Sequence, residues 1–435
     1  MTDRASTSSR IAWMPSPALA AAVVIGVVGL VAAFVMSRAE PAFVGAPLLV
    51  AAALGWERRP SGDSVALDTS ADSEGAVHTS LGLPLLSVRV HAAAAQHPEA
   101  LQLRLSLGGA APVDAVVTPR AAAGLTAEVP LVHSGRQRVV AVEARAVGAD
   151  AAWVSMPGEE AAIERVVRPR QAPVRSLPLP ARLLGLTGQH VSTRPGEGGE
   201  FRDIDLFHPG DRLRRIDWRA TARAGRAGEL YVRRTTATSD AAIHLVIDAR
   251  DDLTGVVADW SERYPRPAVS SLDLAREAAA SLTAAYAAAG DRVGFDDLSE
   301  YGRVLPPRAG ARHRERVLRA IELTSATGTT FQRVRAPRLS PGALVFVLST
   351  FLDDQPVTLA HTWRAAGHRV IAVDVLPARD VRELTSRDRL ALRTVELARR
   401  IRLEQLQAGG AEFVRWEDAP GREASLRAIA AGRRR

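Results

Sequence analysis

Cysteine and lysine are both absent from the 435 residues of the chain. The absence of cysteine excludes disulfides, thiolate metal sites and a cysteine nucleophile. The absence of lysine excludes Schiff-base chemistry and the lysine of a phosphate-binding loop. The sequence also lacks a Walker loop, a Gly-x-Ser-x-Gly elbow and a His-Glu-x-x-His motif. We therefore expect a protein that is not an enzyme and that needs no cofactor.

The formal net charge is +8, and apart from histidine every basic residue is arginine. A positive balance suits nucleic acid or an anionic membrane surface. The arginines are interleaved with carboxylates along the chain, and no aromatic-plus-basic stacking pattern accompanies them. The sequence therefore predicts no nucleic-acid partner.

A long uncharged run lies near the start of the chain, where residues 18–36 read ALAAAVVIGVVGLVAAFVM. At about 1.5 Å per residue a helix of this length spans close to the hydrocarbon core of a bilayer. A second apolar run, residues 42–56, follows a short polar break and ends at Trp56. An interfacial tryptophan and a thin bilayer would suit this shorter span. Residues 1–62 are therefore predicted to form a transmembrane hairpin.

Arginines lie on the outer sides of this hairpin, whereas its connecting loop pairs Arg38 with Glu40. The flanking arginines are Arg4, Arg10, Arg58 and Arg59. The positive-inside rule then predicts that the N-terminus and everything after residue 57 lie on the cytoplasmic face of the plasma membrane. Two alternatives remain open. The first run could be a cleaved signal peptide, or the second could be buried in the next domain, with the rest of the chain outside.

Short stretches of alternating apolar residues follow a polar linker over residues 63–80. The clearest is LQLRLSL, residues 101–107. Strands at this spacing, separated by Gly and Pro, predict a small β-sandwich over residues 63–170. We expect it to act as a spacer or docking module.

Apolar strands alternate with helical patterns over residues 241–435. Residues 242–247 and 343–348 are apolar or nearly so, which favours an open parallel sheet covered on both faces. Sites in such sheets form at the carboxyl ends of the strands, so Asp248, Ser349-Thr350 and Asp374 are candidate positions. The predicted fold class is α/β, with a membrane hairpin, a β-sandwich and this sheet domain in sequence.

The most specific pattern lies in residues 171–240. Residues 194–234 resemble the signature of a bacterial family known as domain of unknown function 58. In that family a glycine-rich, acidic-aromatic segment leads into a Pro-Gly-Asp turn, an arginine, an Ile-Asp-Trp triplet and an Ala-Arg pair. The matching residues are Gly196, Gly198, Glu200, Phe201, Pro209, Gly210, Asp211, Arg215, Ile216, Asp217, Trp218, Ala222 and Arg223.

The resemblance covers roughly residues 180–430, with further landmarks at residues 291–294 and 306–310. The chain departs from the pattern at Asp205 and Phe207, where the family often has an arginine and a tyrosine. Asp217 lies beside Trp218 with Arg215, Arg219 and Arg223 near it, which suggests a partly buried carboxylate–guanidinium network under an indole ring. We expect Arg215, Asp217, Trp218 and Arg223 to hold the segment in shape.

Members of this family resemble von Willebrand factor A domains, whose cation site uses Asp-x-Ser-x-Ser after the first strand. Here the corresponding residues are Asp248, Arg250 and Asp252, so both serines are replaced. Thr329 or Thr330 matches the threonine position, and Thr350 stands where an aspartate is usual. Mg²⁺ needs a near-octahedral shell of hard oxygens, and a guanidinium paired with Asp248 would fill that space.

We therefore expect a degenerate metal site around Asp248, Asp252, Thr329 and Thr350, without a bound metal. Genes of the family are commonly found beside MoxR-type AAA+ ATPases, so the resemblance implies such an ATPase as partner. The expected function is a membrane-anchored cytoplasmic interaction or scaffold protein that works with this ATPase and with other membrane or envelope proteins. The alternatives are a cell-envelope hydrolase using the acidic residues of 197–211, and a cation-dependent adhesion module.

Overall fold

A computed structural model describes residues 3–10, 12–60, 64–72, 85–94, 98–118, 123–183, 188–224, 228–299, 302–328 and 335–432, with backbone alone for residues 123 and 191–200. The fold is mixed α/β, as the sequence predicts. The chain divides into two compact units. Unit 1 comprises Met1–Val132, Arg136–Val166 and Arg263–Pro267, and unit 2 comprises His133–Gly135, Val167–Glu262 and Ala268–Arg435.

Two long helices lie near the start of unit 1, α1 (Pro17–Met36) and α2 (Glu40–Glu57). Ser16 caps α1, because its hydroxyl oxygen accepts a hydrogen bond from the backbone N–H of Leu19 at 3.1 Å. Among the described residues α1 is the one helix that is long and apolar enough to cross a membrane. Helix α2 has a glutamate at each end and Pro47 inside.

Glycines allow α1 and α2 to pack closely. A Cβ atom at Gly45 would lie 2.7 Å from the carbonyl oxygen of Gly26 and 3.3 Å from the carbonyl carbon of Gly29. Small residues at a helix–helix contact permit this close approach of two backbones. Large apolar side chains are exposed instead, among them Phe34 at 87% and Phe43 at 77%.

The strands described in unit 1 form two sheets. They are β1 (Asp3–Arg10), β2 (Trp13–Pro15), β3 (Ser64–Asp72), β4 (Leu85–Ala94), β5 (Ala100–Leu107), β6 (Val113–Val117), β7 (Ala123–Pro130), β8 (Gly135–Val147), β9 (Trp153–Ser155) and β10 (Ala161–Val167). One sheet has the order β1-β3-β4-β7, and the other has the order β2-β9-β8-β5-β6, with β10 beside β8. Alternating residues such as Val88 and Val90 of the first sheet and Leu101 and Leu103 of the second share one buried cluster.

Residues 3–15, assigned from sequence to the membrane hairpin, belong to these sheets. Strand β1 pairs antiparallel with β3, from Asp3 opposite Ala71 to Arg10 opposite Ser64, and β2 pairs with β9. The sequence DRASTSSR of β1 shows no apolar alternation, so its local pattern did not predict a strand. The chain therefore leaves the sandwich into α1 and returns to it after α2.

Trp153 joins the base of the two helices to the sandwich. Its indole N–H donates to the carbonyl oxygen of Gly55 at 2.8 Å, and its ring lies 5.2 Å from the ring of Trp56. The guanidinium of Arg59 lies 5.0 Å from the centre of the Trp153 ring. A buried tryptophan with a satisfied N–H supports both packing and orientation at this junction.

Unit 2 contains a six-stranded sheet, a two-stranded ribbon and six helices among its described residues. The strands are β11 (His190–Leu206), β12 (Tyr231–Ser239), β13 (Ala242–Ile247), β14 (Arg292–Asp297), β15 (Val304–Arg308), β16 (Leu344–Ser349), β17 (Arg369–Asp374) and β18 (Glu412–Arg415). The helices are α3 (Trp218–Ala224), α4 (Ser271–Ala288), α5 (Ala311–Glu322), α6 (Gln355–Ala365), α7 (Ser386–Ala408) and α8 (Ala419–Ala431).

The six-stranded sheet has the order β15-β14-β13-β16-β17-β18. All neighbours are parallel except β14 and β15, which are antiparallel. Leu245 and Phe346 pack into one buried cluster with residues of α4, whereas Val246 and Val345 pack into another with Trp363 of α6. Both faces of the sheet are therefore covered, and its parallel strands end at a common edge.

Candidate functional site

The carboxyl edge of the sheet in unit 2 brings together the candidate residues at the ends of β13, β16 and β17. The hydroxyl of Ser349 donates to Oδ2 of Asp248 at 2.8 Å and accepts from the backbone N–H of Phe351 at 3.0 Å. Phe351 is fully buried and has a φ of +55°, a conformation that a bulky residue rarely adopts. The turn after β16 is therefore held by Ser349 in a strained backbone.

Arg250 bridges two aspartates at this edge. Its Nε and Nη2 donate to Oδ1 and Oδ2 of Asp248 at 2.8 and 2.9 Å. Nη2 also lies 2.7 Å from Oδ2 of Asp353, and the side chain of Arg250 is 4% exposed. Burial alone would lower the pKa of Arg250, but the carboxylates of Asp248 and Asp353 outweigh it and raise this pKa. The bidentate pair locks both oxygens of Asp248.

Other charged groups at this edge also form ion pairs or have a shifted pKa. Arg399 of α7 donates to the carbonyl oxygen of Thr350 at 2.7 Å and forms a short ion pair with Asp374. Burial and the nearby carboxylates of Asp248 and Asp353 raise the pKa of Asp251. At this edge Asp248 and Asp374 are therefore each joined to a guanidinium.

These residues do not fit a divalent cation. Both oxygens of Asp248 accept from Arg250, while Oδ1 of Asp252 accepts from the backbone N–H of Leu272 at 3.2 Å. Thr350 is engaged through its carbonyl oxygen, and Thr329 and Thr330 lie outside the described residues. No group of three or more His, Asp or Glu side chains that could hold a metal ion occurs in the described part of the chain.

The signature segment lies on the ribbon formed by β11 and β12. Gly196, Gly198 and Glu200 fall in β11, where side chains are outside the described residues. After β11 the chain turns at Pro209-Gly210, where Gly210 has a φ of +106° and Oδ2 of Asp211 accepts from the backbone N–H of His208 at 2.9 Å. A glycine suits this left-handed position, so this part of the signature forms a turn.

Asp217 caps the short helix α3. Its Oδ1 accepts from the backbone N–H groups of Arg219 and Ala220 at 3.1 and 2.9 Å. The preceding Ile216 forms a bridge with Val232 of β12, which fastens the segment to the ribbon. Among the described residues Asp217 is therefore a helix cap, and the expected arginine network around it does not occur there.

Trp218 does not cover a network either, because its side chain is 66% exposed. Leu213, in the 3₁₀ turn before α3, is 69% exposed, and Phe201 is 50% exposed. Ala222 and Arg223 are exposed on α3. The expected structural role of Trp218 and Arg223 is corrected accordingly, since both lie on the surface.

Trp218 and its neighbours border a shallow cleft of about 340 Å³. The cleft is lined by Arg214, Arg215, Ile216, Asp217, Trp218, Arg233 and Thr235. The guanidinium of Arg233 also lies 5.0 Å from the centre of the Phe201 ring. Among its described lining residues the cleft has three guanidinium groups, one indole and one carboxylate, a balance that favours an anionic ligand.

The acidic residues of the segment are paired rather than set apart. Asp205 lies 2.5 Å and Asp211 lies 3.8 Å from nitrogens of Arg234, and Asp203 lies 3.4 Å from Arg202. The side chains of Glu197 and Glu200 lie outside the described residues. Among the described acids, therefore, no carboxylate pair has the free geometry that glycoside hydrolysis needs.

Arg214, Arg233 and Arg399 are site residues that the sequence did not reveal. Arg399 lies 25 positions from Asp374 inside a long charged helix, so only the fold brings the two together. Arg214 is adjacent to the signature arginine Arg215, and the density of arginine around Trp218 was the one available signal.

The fold and site define a mixed α/β protein with an apolar N-terminal helix and an arginine-rich surface segment. The model of the family described as Protein of unknown function DUF58 matches residues 203–414. An uncharacterised protein of Mycobacterium bovis and uncharacterised proteins of two strains of Mycobacterium tuberculosis are each 31% identical over 209 residues. The match covers 45% of this chain and 61% of each relative. No solved structure matches the chain at a significant level.

Proposed function

We propose that the protein is a membrane-anchored cytoplasmic scaffold of the DUF58 family, without enzymatic activity, whose partner is a MoxR-type AAA+ ATPase. The pairing of β1 with β3 carries the anchoring part of this proposal. These strands precede α1 and follow α2, so both must lie on one side of any membrane. One span would separate them, whereas two spans, or none, leave the pairing intact.

Two spans are favoured over none by the surfaces of the helices. Large apolar side chains of both helices are exposed, including Val35, Phe43 and Val44 at 74%, 77% and 62%. In water such a surface would be unfavourable, whereas in a bilayer it contacts lipid. Helix α2 is short and contains Pro47, which a paired helix in a membrane tolerates. Trp56 and Arg58 at its end suit the interface.

The cytoplasmic orientation is supported by the arginines at the hairpin base. Arg58 lies 2.6 Å from Asp150, and Arg59 stacks on Trp153, so both remain with the sandwich. The segment between the helices contains Arg38 and Glu40, whose charges balance, so it carries no excess positive charge. This asymmetry favours the face that holds the sandwich as the cytoplasmic one.

We further propose that unit 2 is von Willebrand factor A-like. The strand order β15-β14-β13-β16-β17-β18, with one antiparallel strand at the edge, supports this proposal. In a domain of this kind Arg250 would compete with a cation for Asp248, since both oxygens of this aspartate accept from the guanidinium, which argues against cation-dependent adhesion. Contact with a partner is then expected at another surface, and a scaffold role follows.

The partnership is tested by photo-crosslinking the full chain in native membranes and identifying the captured proteins. A photoreactive residue at Leu213, which is exposed beside the cleft, is the probe, and one at the exposed Leu397 of α7 is the matched control. Capture of an AAA+ ATPase from Leu213 supports the proposal. Failure to recover any ATPase from either position would count against the partnership.

A further inference from the structure

The cleft around Trp218 combines charge and apolar surface in a way that the scaffold role alone does not explain. We propose that it binds an acidic segment of a partner protein, with glutamate or aspartate carboxylates on Arg214 and Arg233 and an apolar side chain on Trp218. This inference rests on the proposed interaction role and specifies the chemistry of the partner.

The charge balance of the cleft favours a ligand with carboxylate groups. Arg214, Arg215 and Arg233 line it, and Asp217 is the one acidic residue among the described residues that line it. Oδ1 of Asp217 is already engaged by two backbone N–H groups at the start of α3. In the described part of the chain neither Arg214 nor Arg233 forms an ion pair, so their guanidinium groups are available to carboxylates. Guanidinium–carboxylate pairing is geometrically specific and charge-assisted.

The exposed apolar side chains at the cleft favour a ligand that also has apolar groups. Trp218 and Leu213 are 66% and 69% exposed, although both are large side chains next to the half-buried Ile216. Tryptophan and arginine are the residue types that most often dominate the energy of protein–protein contacts. An indole beside guanidinium groups fits a segment that alternates carboxylates with apolar side chains.

The shape of the cleft selects a protein segment over other anions. The cleft is concave and lies between β12 and the turn that leads into α3, whereas a bilayer surface is flat. A single-stranded nucleic acid would need a longer basic track with several stacking aromatics, and Trp218 is the one aromatic residue among the described residues that line this cleft. A peptide of mixed acidic and apolar residues fits the size of the cleft and matches its arginine and indole groups.

The experiment measures binding of a fluorescein-labelled peptide of repeating Glu-Glu-Leu units to the full chain in lipid nanodiscs, by fluorescence anisotropy. A Gln-Gln-Leu peptide is the uncharged control, and phosphatidylglycerol vesicles and inorganic phosphate are competitors. The variants are Arg214→Gln and Trp218→Ala. Arg316→Gln, which removes an exposed arginine of α5 in the same unit, is the matched control for charge.

We expect the Glu peptide to bind and the Gln peptide not to bind. Arg214→Gln and Trp218→Ala each weaken binding roughly tenfold, as for central contact residues, while Arg316→Gln leaves it within about twofold. Absence of peptide binding, or equal weakening by Arg214→Gln and Arg316→Gln, would overturn the proposal. Full displacement by phosphatidylglycerol or phosphate at low concentration would assign the cleft to a lipid headgroup or a free phosphate instead.

The outcome is separable from that of the proposed function. If an ATPase is crosslinked equally well by wild type and by Arg214→Gln, the scaffold role stands and the cleft is not its contact. If the peptide binds as expected but no ATPase is recovered, the cleft stands and the ATPase partnership fails.

Discussion

Arg250 takes part in three contacts that a cation could not share with it. The guanidinium is bidentate on Asp248 and reaches Asp353, while Ser349 donates to the same Asp248. A buried charge pair of this kind contributes little compared with apolar packing, but breaking it leaves an unpaired charge in the interior. The main consequence of this arrangement is that Asp248 and Asp353 share one counter-charge, the guanidinium of Arg250.

Arg250→Met should lower the free energy of unfolding by roughly 3–5 kcal/mol, because Asp248 loses its counter-charge while remaining buried. The double variant Asp248→Asn/Arg250→Met should lose much less, since the pair is replaced by neutral groups of similar size. Urea unfolding of both variants, followed by circular dichroism, measures the difference. An equal loss of stability in the two variants, or no loss in the single variant, would contradict the claim that Arg250 neutralises a buried Asp248.

His244, on β13, is a second buried group that can titrate. It is 2% exposed, and neither ring nitrogen has a hydrogen-bond partner among the described residues. Burial, with a smaller effect of His368, lowers the pKa of His244 from 6.5 to about 4. The folded protein therefore keeps the ring neutral at a pH where the unfolded chain already binds a proton.

As pH falls from 6.5 towards 4, stability is lost at this position, and at pH 5 the loss is roughly 2 kcal/mol. His244→Leu removes the titrating group and keeps a similar volume, so its stability should fall less between pH 7.5 and pH 5 than that of wild type. Urea titrations at these two pH values test the prediction. An unchanged pH dependence in the variant would contradict it.

At the scale of elements, the two N-terminal helices depend on the glycines between them. Gly45→Val should destabilise the pair by roughly 1–3 kcal/mol, because its Cβ would lie 2.7 Å from the carbonyl oxygen of Gly26. Ala46→Val places the same side chain at an exposed neighbouring position, adding two carbon atoms instead of three, and should have little effect. Thermal unfolding in detergent, followed by circular dichroism, compares them. Similar shifts for both variants would mean that the helices do not pack through this contact.

Elements with strong local patterns were predictable. Helix α4, Ser271–Ala288, has a local start signal, because Ser270 and Asp273 form a capping box there. The expected run at 242–247 is β13, Ala242–Ile247. By contrast, β1 is a polar strand whose formation depends on pairing with β3, more than fifty residues away. Its sequence alone carries no signal for that pairing.

The site was predictable only in part, for the same reason. Asp248 and Ser349 follow apolar strands, so their position at one edge follows from sequence. The exposure of Trp218 and the capping role of Asp217 depend on how the segment folds onto β12. Those contacts are long-range, and the density of charge alone suggested a network that the fold does not form.

At the scale of the whole molecule, the proposed topology depends on a hairpin that leaves the sandwich and returns to it. Strands β1 and β2 precede α1, and β3 follows α2, so the two ends of the hairpin are tied by a sheet. Trp153 then holds the base of the helices through Gly55. A membrane-anchored protein built in this way has both soluble ends on one face, and we propose that this face is cytoplasmic.

Cysteine-scanning topology tests this claim most directly, because the chain has no cysteine of its own. Single variants Ser8→Cys in β1, Ala39→Cys between the helices and Ala428→Cys in α8 all lie at exposed positions. Spheroplasts are treated with a membrane-impermeant maleimide, before and after permeabilisation. The account predicts that Ala39→Cys reacts in intact spheroplasts and that Ser8→Cys and Ala428→Cys react only after permeabilisation. Labelling of Ser8→Cys and Ala428→Cys from outside, or opposite behaviour of these two, would contradict it.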